Sequence, residues 1–107
     1  MLKYLKNMQK PTPKIFTALD FPDPAEAEAM FKRLQPIHPY FKVGLELFAQ
    51  IGIVGVKRYV DAGAKIFLDL KFHDIPNTVE QVIRQVSTTG AILTNIHISG
   101  GEAMAKA

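Results

Sequence analysis

No cysteine occurs in these 107 residues, which excludes a disulfide framework and any cysteine-based zinc or thiol chemistry, and fits a cytoplasmic protein. Histidine is scarce too. His38, His73 and His97 are too scattered to compose a metal site, so no metal is expected. No apolar run reaches the roughly 18 residues of a membrane span, so no membrane partner is expected either. A basic face is also lacking. The formal charge is +3, but Lys3, Lys6, Lys10 and Lys14 stand without an acid among them, and residues 15–107 carry a net −1. A binder of phosphate backbones needs its positive charge clustered on a folded surface, so nucleic acid is not an expected partner.

What is present is the composition of one ordinary globular domain, 48% apolar and 21% charged. Met1 to Lys10 is weakly amphipathic but lacks the arginine and serine of a transit peptide. Residues 1–13 are therefore expected to form an arm or short helix over one end of the fold, and residues 14–107 the domain itself.

Lys14 to Asp20 reads as a first buried strand, Ile-Phe-Thr-Ala-Leu, bounded by Pro13 and Pro22. Asp23-Pro24-Ala25-Glu26 then opens a helix, with Asp23 as N-cap, Pro24 at the first helical position and Glu26 in the capping-box position. Ala27, Met30, Phe31 and Leu34 give that helix its apolar stripe. Tyr40 to Gly44 is a second short strand with Lys42 at its centre. A helical stretch follows from Leu45 to Ala62, with Ile53, Val56 and Val60 on its later apolar face; Gly52 and Gly55 are expected to interrupt it, and Gly63 to stop it. Ala64 to Leu70 is the third strand. Val79, Val82, Ile83 and Val86, at spacing i, i+3, i+4, i+7, mark a helix ended by Gly90, with Asn77 or Thr78 as its cap. Ala91 to Ser99 is a fourth strand, with Asn95, His97 and Ser99 on one face and Thr94, Ile96 and Ile98 on the other. After a tight exit at Gly100-Gly101, Glu102 to Ala107 begins another helix.

Strand-helix alternation at this spacing implies parallel strands with right-handed crossovers, in an open doubly wound sheet or part of a (β/α)₈ barrel. Asp20, Lys42, Asp69 with Lys71, and His97 with Ser99 each stand near the C-terminal end of a different consecutive strand, as barrels arrange their sites. No G-x-G-x-x-G follows the first strand, which removes the main support for a dinucleotide-binding open sheet. The fold class expected is α/β: the N-terminal half of a (β/α)₈ barrel, about four parallel β/α units.

The chemical centre is Phe67 to Thr78, Phe-Leu-Asp-Leu-Lys-Phe-His-Asp-Ile-Pro-Asn-Thr. Residues two apart on a strand share a face, so Asp69 and Lys71 point one way while Leu68 and Leu70 point the other, and Asp74 falls in the turn beyond. A carboxylate and an ammonium leaving a strand end together are costly to desolvate unless paired. Such a pair serves either as a structural ion pair closing the turn or as a site.

These residues resemble the orotidine 5′-phosphate decarboxylase family. The resemblance is carried by Ile15 to Asp20, Phe41 to Phe48, Phe67 to Thr78, and Asn95 to Gly101. D-x-K-x-x-D is shared with related sugar-phosphate decarboxylases and hexulose-phosphate synthases, whereas His73 and Ile75-Pro76-Asn77-Thr78 resemble the orotidylate branch. The resemblance implies decarboxylation of orotidine 5′-monophosphate to UMP and carbon dioxide without cofactor. It also implies an alternating charge network of Lys42, Asp69, Lys71 and Asp74, with Lys71 as proton donor, Asp74 reaching across a homodimer, Asp20 and Lys42 on the ribose hydroxyls, and Thr78 on the partner's nucleotide. The chemistry agrees: loss of carbon dioxide leaves a carbanion with little resonance help, which an adjacent ammonium stabilises and then protonates.

His97 and Ser99 match the family's fourth-strand pattern, but His97 reads equally as a packed layer residue. His38 and His73 receive no chemical role. Tyr40, Phe41, Phe48 and Phe67 are read as core and interface. Strands five to eight, with the family's pyrimidine and phosphate contacts, have no counterpart in these 107 residues. The chain by itself is therefore expected to be inactive and, with its first and fourth strands as open edges, to self-associate. Two alternatives stand beside the decarboxylase: a Mg²⁺-dependent sugar-phosphate decarboxylase or synthase of the same superfamily, and a non-catalytic, dimerising half-barrel scaffold.

Overall fold

The structure, a computed structural model, describes residues 14–107; the arm expected over residues 1–13 lies outside the described residues. Four strands, β1 (Thr17–Ala18), β2 (Tyr40–Gly44), β3 (Lys65–Phe72) and β4 (Leu93–Ile96), form one sheet in chain order, every neighbouring pair parallel. Helices α1 (Pro24–Leu34), α2 (Leu45–Asp61) and α3 (Pro76–Ser87) make the crossovers, and α4 (Glu102–Lys106) follows a 3₁₀ turn at Ile98–Gly100. This is the expected succession of β/α units. No described helix is long and apolar enough to cross a membrane.

The register sets the two faces of the sheet. Parallel pairing aligns Phe41 with Ile66 and Val43 with Leu68, and all four side chains are fully buried on the helix side. Ala27 and Phe31 from α1, Leu47, Val56 and Tyr59 from α2, and Val86 from α3 complete that core. Phe31 sits edge-on to Phe41 and Tyr59, with ring centroids 5.0 and 4.8 Å away. Aromatic pairs in this geometry contribute beyond their buried area. The alternate residues, Lys42, Gly44, Phe67 and Asp69, face the other way, where Phe16 lies edge-on to Tyr40 and Phe67. Phe41 is thus core, and Tyr40 and Phe67 belong to the second, half-covered face.

Local signals explain most element boundaries. The Asp23 carboxylate accepts a 2.9 Å hydrogen bond from Ala25 N, with Pro24 in the first turn. Gly52, at φ 63°, breaks α2 as expected, whereas Gly55 stays helical because the chain has already turned at Gly52. At the end of α3, the buried Thr89 hydroxyl donates to Val86 O and accepts from Ala91 N, and Gly90 turns at φ 83° where a side chain would strike Val60.

Three expectations need correction. α3 is capped by the backbone at Ile75 with Pro76 in its first turn, so Asn77 and Thr78 lie inside the helix; Pro76 has already fixed the helical φ one step earlier. β1 is shorter than Lys14 to Asp20, because only Thr17 and Ala18 pair with β2 before Leu19 N closes on Lys42 O. β4 stops at Ile96. His97 N still bonds Phe72 O at 2.9 Å, but Phe72 is the last residue of β3, and with no ladder left Ile98 to Gly100 coil into the 3₁₀ turn. Ser99 leaves the strand face, and Ile98 is 91% exposed.

Candidate active site

The strand ends on the face away from the helices carry a row of alternating charge. Asp20 leaves β1, Lys42 stands in β2, and Asp69 and Lys71 stand in β3. Lys42 Nζ lies 3.4 Å from Asp20 Oδ2 and 3.5 Å from Asp69 Oδ2, and Lys71 Nζ lies 2.6 Å from Asp69 Oδ1. Each interior member has a counter-charge on both sides. Asp69 is the most enclosed of the four, its side chain 13% exposed, whereas that of Lys71 is 57% exposed.

Asp69 receives a third partner that the sequence reading placed on the right face without a role. Asn95 Nδ2 donates to Asp69 Oδ1 at 2.7 Å, and Asn95 Oδ1 accepts from Lys71 N at 2.8 Å. The hydrogen bond from Lys71, then that from Asn95, pull the Asp69 carboxyl down to about 2 against the opposing effect of burial, with the charges of Lys71 and Lys42 adding to the shift. Lys71 itself holds φ 52°, left-handed backbone in a residue with a Cβ. That conformation costs about 1–2 kcal/mol, and such strain concentrates at functional sites.

These groups line an open cleft of about 400 Å³ with Gly44, Leu45, Glu46, Leu70 and His97. Gly44 is the second residue the sequence reading left without a role: a Cβ there would stand 3.3 Å from Asp20 Oδ1, so its bare backbone lets the Asp20 carboxylate approach Lys42. Its signal was its place at the strand end, two residues past Lys42. His97 lines the cleft, as the strand pattern suggested; Ser99, in the 3₁₀ turn, does not.

Asp74 and Thr78 are not in the row. Asp74 Oδ1 accepts from Ile75 N at 2.7 Å, and both residues line a neighbouring cleft of about 240 Å³ shared with Phe48, Lys71, His73 and Val82. A largely apolar groove of about 340 Å³ between α2 and α3, edged by Gln81 and Gln85, continues it past Phe48, Phe72 and Val82. Another hollow, about 520 Å³, lies between α1 and α2 beside Glu28, Arg58 and Tyr59, on the opposite side of the sheet from the charges.

Comparison with known proteins identifies the family. Residues 13–107 match the family model described as Orotidine 5′-phosphate decarboxylase / HUMPS family. An orotidine 5′-phosphate decarboxylase of Nitratidesulfovibrio vulgaris is 49% identical over 94 residues, covering 88% of this chain and 40% of that protein. That of Moorella thermoacetica is 44% identical over 108 residues, covering 99% and 43%. Among solved structures, the Lactobacillus acidophilus orotidine 5′-phosphate decarboxylase superposes with a TM-score of 0.76 at 37% identity, covering 89% of this chain and 43% of that one. The Pyrococcus horikoshii enzyme gives 0.77 at 26% identity, covering 86% and 45%. The chain thus spans about two fifths of the length of the curated relatives it matches.

Proposed function

The chain belongs to the orotidine 5′-phosphate decarboxylase / HUMPS family, and from that membership we propose that the protein carrying it converts orotidine 5′-monophosphate to UMP and carbon dioxide. Residues 14–107 supply the first four β/α units of its barrel and the charged part of its site. The observation that carries this reading is the unbroken row Asp20, Lys42, Asp69, Lys71 in one cleft at the ends of three adjacent strands.

In the proposed reaction the bond between C6 and the carboxylate breaks, carbon dioxide leaves, and the electron pair stays on C6. The Lys71 ammonium stabilises that pair and then transfers its proton to C6, giving UMP. Asp69 holds the ammonium in place, and its charge disfavours the substrate's own carboxylate more than the departing neutral carbon dioxide. Lys42 separates Asp20 from Asp69, so the row stays ordered instead of repelling itself. Asp20 and Lys42, at the other end of the cleft, are assigned to the ribose hydroxyls.

Asp74 and Thr78 are assigned to the site of a second subunit in a homodimer. In support, both line the neighbouring cleft, close in sequence to the exposed Ile75, and that cleft continues into the groove between α2 and α3. Rate enhancements require barriers lowered by about 8–23 kcal/mol, and binding of a remote phosphate is one source of that energy. The reading sets the protein in the cytoplasm, in keeping with a chain free of cysteine.

The test is to incubate the purified protein carrying this chain with orotidine 5′-monophosphate and follow carbon dioxide and UMP. Stoichiometric release of both is expected. No turnover of this nucleotide, with turnover of a ribulose- or hexulose-type sugar phosphate in the presence of Mg²⁺, would overturn the proposal in favour of the sugar-phosphate branch.

A further inference from the structure

β3 and β4 lose register beside the charged row. Leu68 pairs with Thr94 and Phe72 with Ile96, so four steps along β3 answer two along β4. The surplus on β3 is the stretch that holds Asp69, Leu70 and Lys71, and Lys71 takes up φ 52° within it. Facing this bulge, the Asn95 side chain stands in for the missing ladder: Oδ1 accepts from Lys71 N at 2.8 Å while Nδ2 donates to Asp69 Oδ1 at 2.7 Å. The orientation of the amide is determined by its partners, since only the NH₂ end satisfies a carboxylate and only the oxygen end an N–H.

We propose that Asn95 is the positioning residue of the site, its one amide locking both the left-handed backbone of Lys71 and the carboxylate of Asp69 so that the ammonium is presented to substrate in a single orientation. The proposal rests on the decarboxylase reading above. Bulges beside active sites re-aim side chains in this way, and the conformation they impose persists only when neighbours hold it. Without the amide, the Lys71 N–H loses its acceptor and Asp69 loses a donor, so the left-handed turn of β3 is no longer held and the Lys71 ammonium is no longer confined to one orientation. The low carboxyl value of Asp69, to which Asn95 is the second contributor, supports the same picture.

The experiment compares Asn95→Ala and Asn95→Asp with the parent in the protein that carries this chain. It measures kcat and KM for orotidine 5′-monophosphate, the Asp69 carboxyl titration by ¹³C NMR, and circular dichroism. Misplacement of a reacting group by about 1 Å costs on the order of 100-fold, so kcat is expected to fall roughly 10- to 100-fold while KM moves less than about threefold. The Asp69 carboxyl is expected to titrate higher than in the parent. A kcat within about twofold of the parent, with the Asp69 titration unmoved, would overturn the proposal. Asn95→Asp preserves volume and the acceptor for Lys71 N but replaces the donor to Asp69 with a second carboxylate. It decides the matter if the alanine variant does not fold: parental kcat contradicts the positioning role, and loss of kcat with KM moved less than about threefold supports it. If the parent shows no turnover, the decarboxylase reading fails, and the Asp69 titration alone decides the role of Asn95, a raised value supporting it and an unmoved one overturning it.

Discussion

Lys42 reaches across from β2 to stand 3.5 Å from Asp69 Oδ2, on the side of that carboxylate opposite to Lys71, so Asp69 is held between two ammonium groups. Its charge is therefore part of the folded structure, with consequences for pH dependence and for substitution.

The Asp69 carboxyl lies at about 2, below its ordinary value of 3.8, so the folded state favours the ionised form. The stability this contributes is present above about pH 4 and is lost as pH falls through about 2. Urea midpoints measured from pH 5 down to pH 2 should decline, and Asp69→Asn should flatten that decline. Parallel curves for parent and variant would count against the coupling.

Tyr59 behaves in the opposite sense. Burial first, then the charge of Glu28 and a hydrogen bond to it, raise the phenol to about 12 from 10.0. Its contribution to stability is full below pH 10 and is lost as pH rises through about 12. Absorbance at 295 nm should show one of the three tyrosines ionising about two pH units late, and Tyr59→Phe should remove that phase.

The aromatic contact under the sheet should dominate stability. Phe31 is 3% exposed and touches both Phe41 and Tyr59. Phe31→Ala is expected to cost about 3–5 kcal/mol in denaturant unfolding, against less than about 0.5 kcal/mol for an exposed site such as Lys57→Ala.

Much of this was legible beforehand, for reasons specific to each residue. Asp69 and Lys71 share a face because strands alternate, and that geometry does not depend on distant parts of the chain. Asp23, Pro24, Gly52 and Gly63 act through their own backbone chemistry, and α1 and α2 begin, bend and end close to where those residues require. β4 was misread because Asn95 to Ser99 alternates as a strand should, while the end of the strand depends on where β3 stops offering partners. The bulge that makes Asn95 important is a relation between two strands 26 residues apart in sequence for the Asn95–Asp69 bond, and no local pattern encodes it. The capping position at Ile75 was missed because backbone geometry set by Pro76 outweighed the side-chain preferences of Asn77 and Thr78.

The 107-residue chain expressed by itself is predicted to show no measurable turnover and to associate. Among the described residues, β1 pairs only with β2 and β4 only with β3, and Ile15, Ile92 and Leu93 are 77%, 52% and 49% exposed. Unpaired edges with apolar neighbours recruit other chains. Sedimentation velocity should show species larger than 11.9 kDa; a monomer with cooperative unfolding would contradict this.

The most direct test of the account is the rate of carbon dioxide release from orotidine 5′-monophosphate by the protein carrying this chain, with and without Lys71→Ala. The Lys71 side chain is more than half exposed, so its removal should leave circular dichroism nearly unchanged, with a modest fall in the unfolding midpoint because Asp69 loses its strongest hydrogen-bond partner. If Lys71 is the proton donor as proposed, its loss should lower kcat about 10³-fold or more. A folded Lys71→Ala protein that keeps the parental rate would show that the charged row does not perform the chemistry, and the central claim would be wrong.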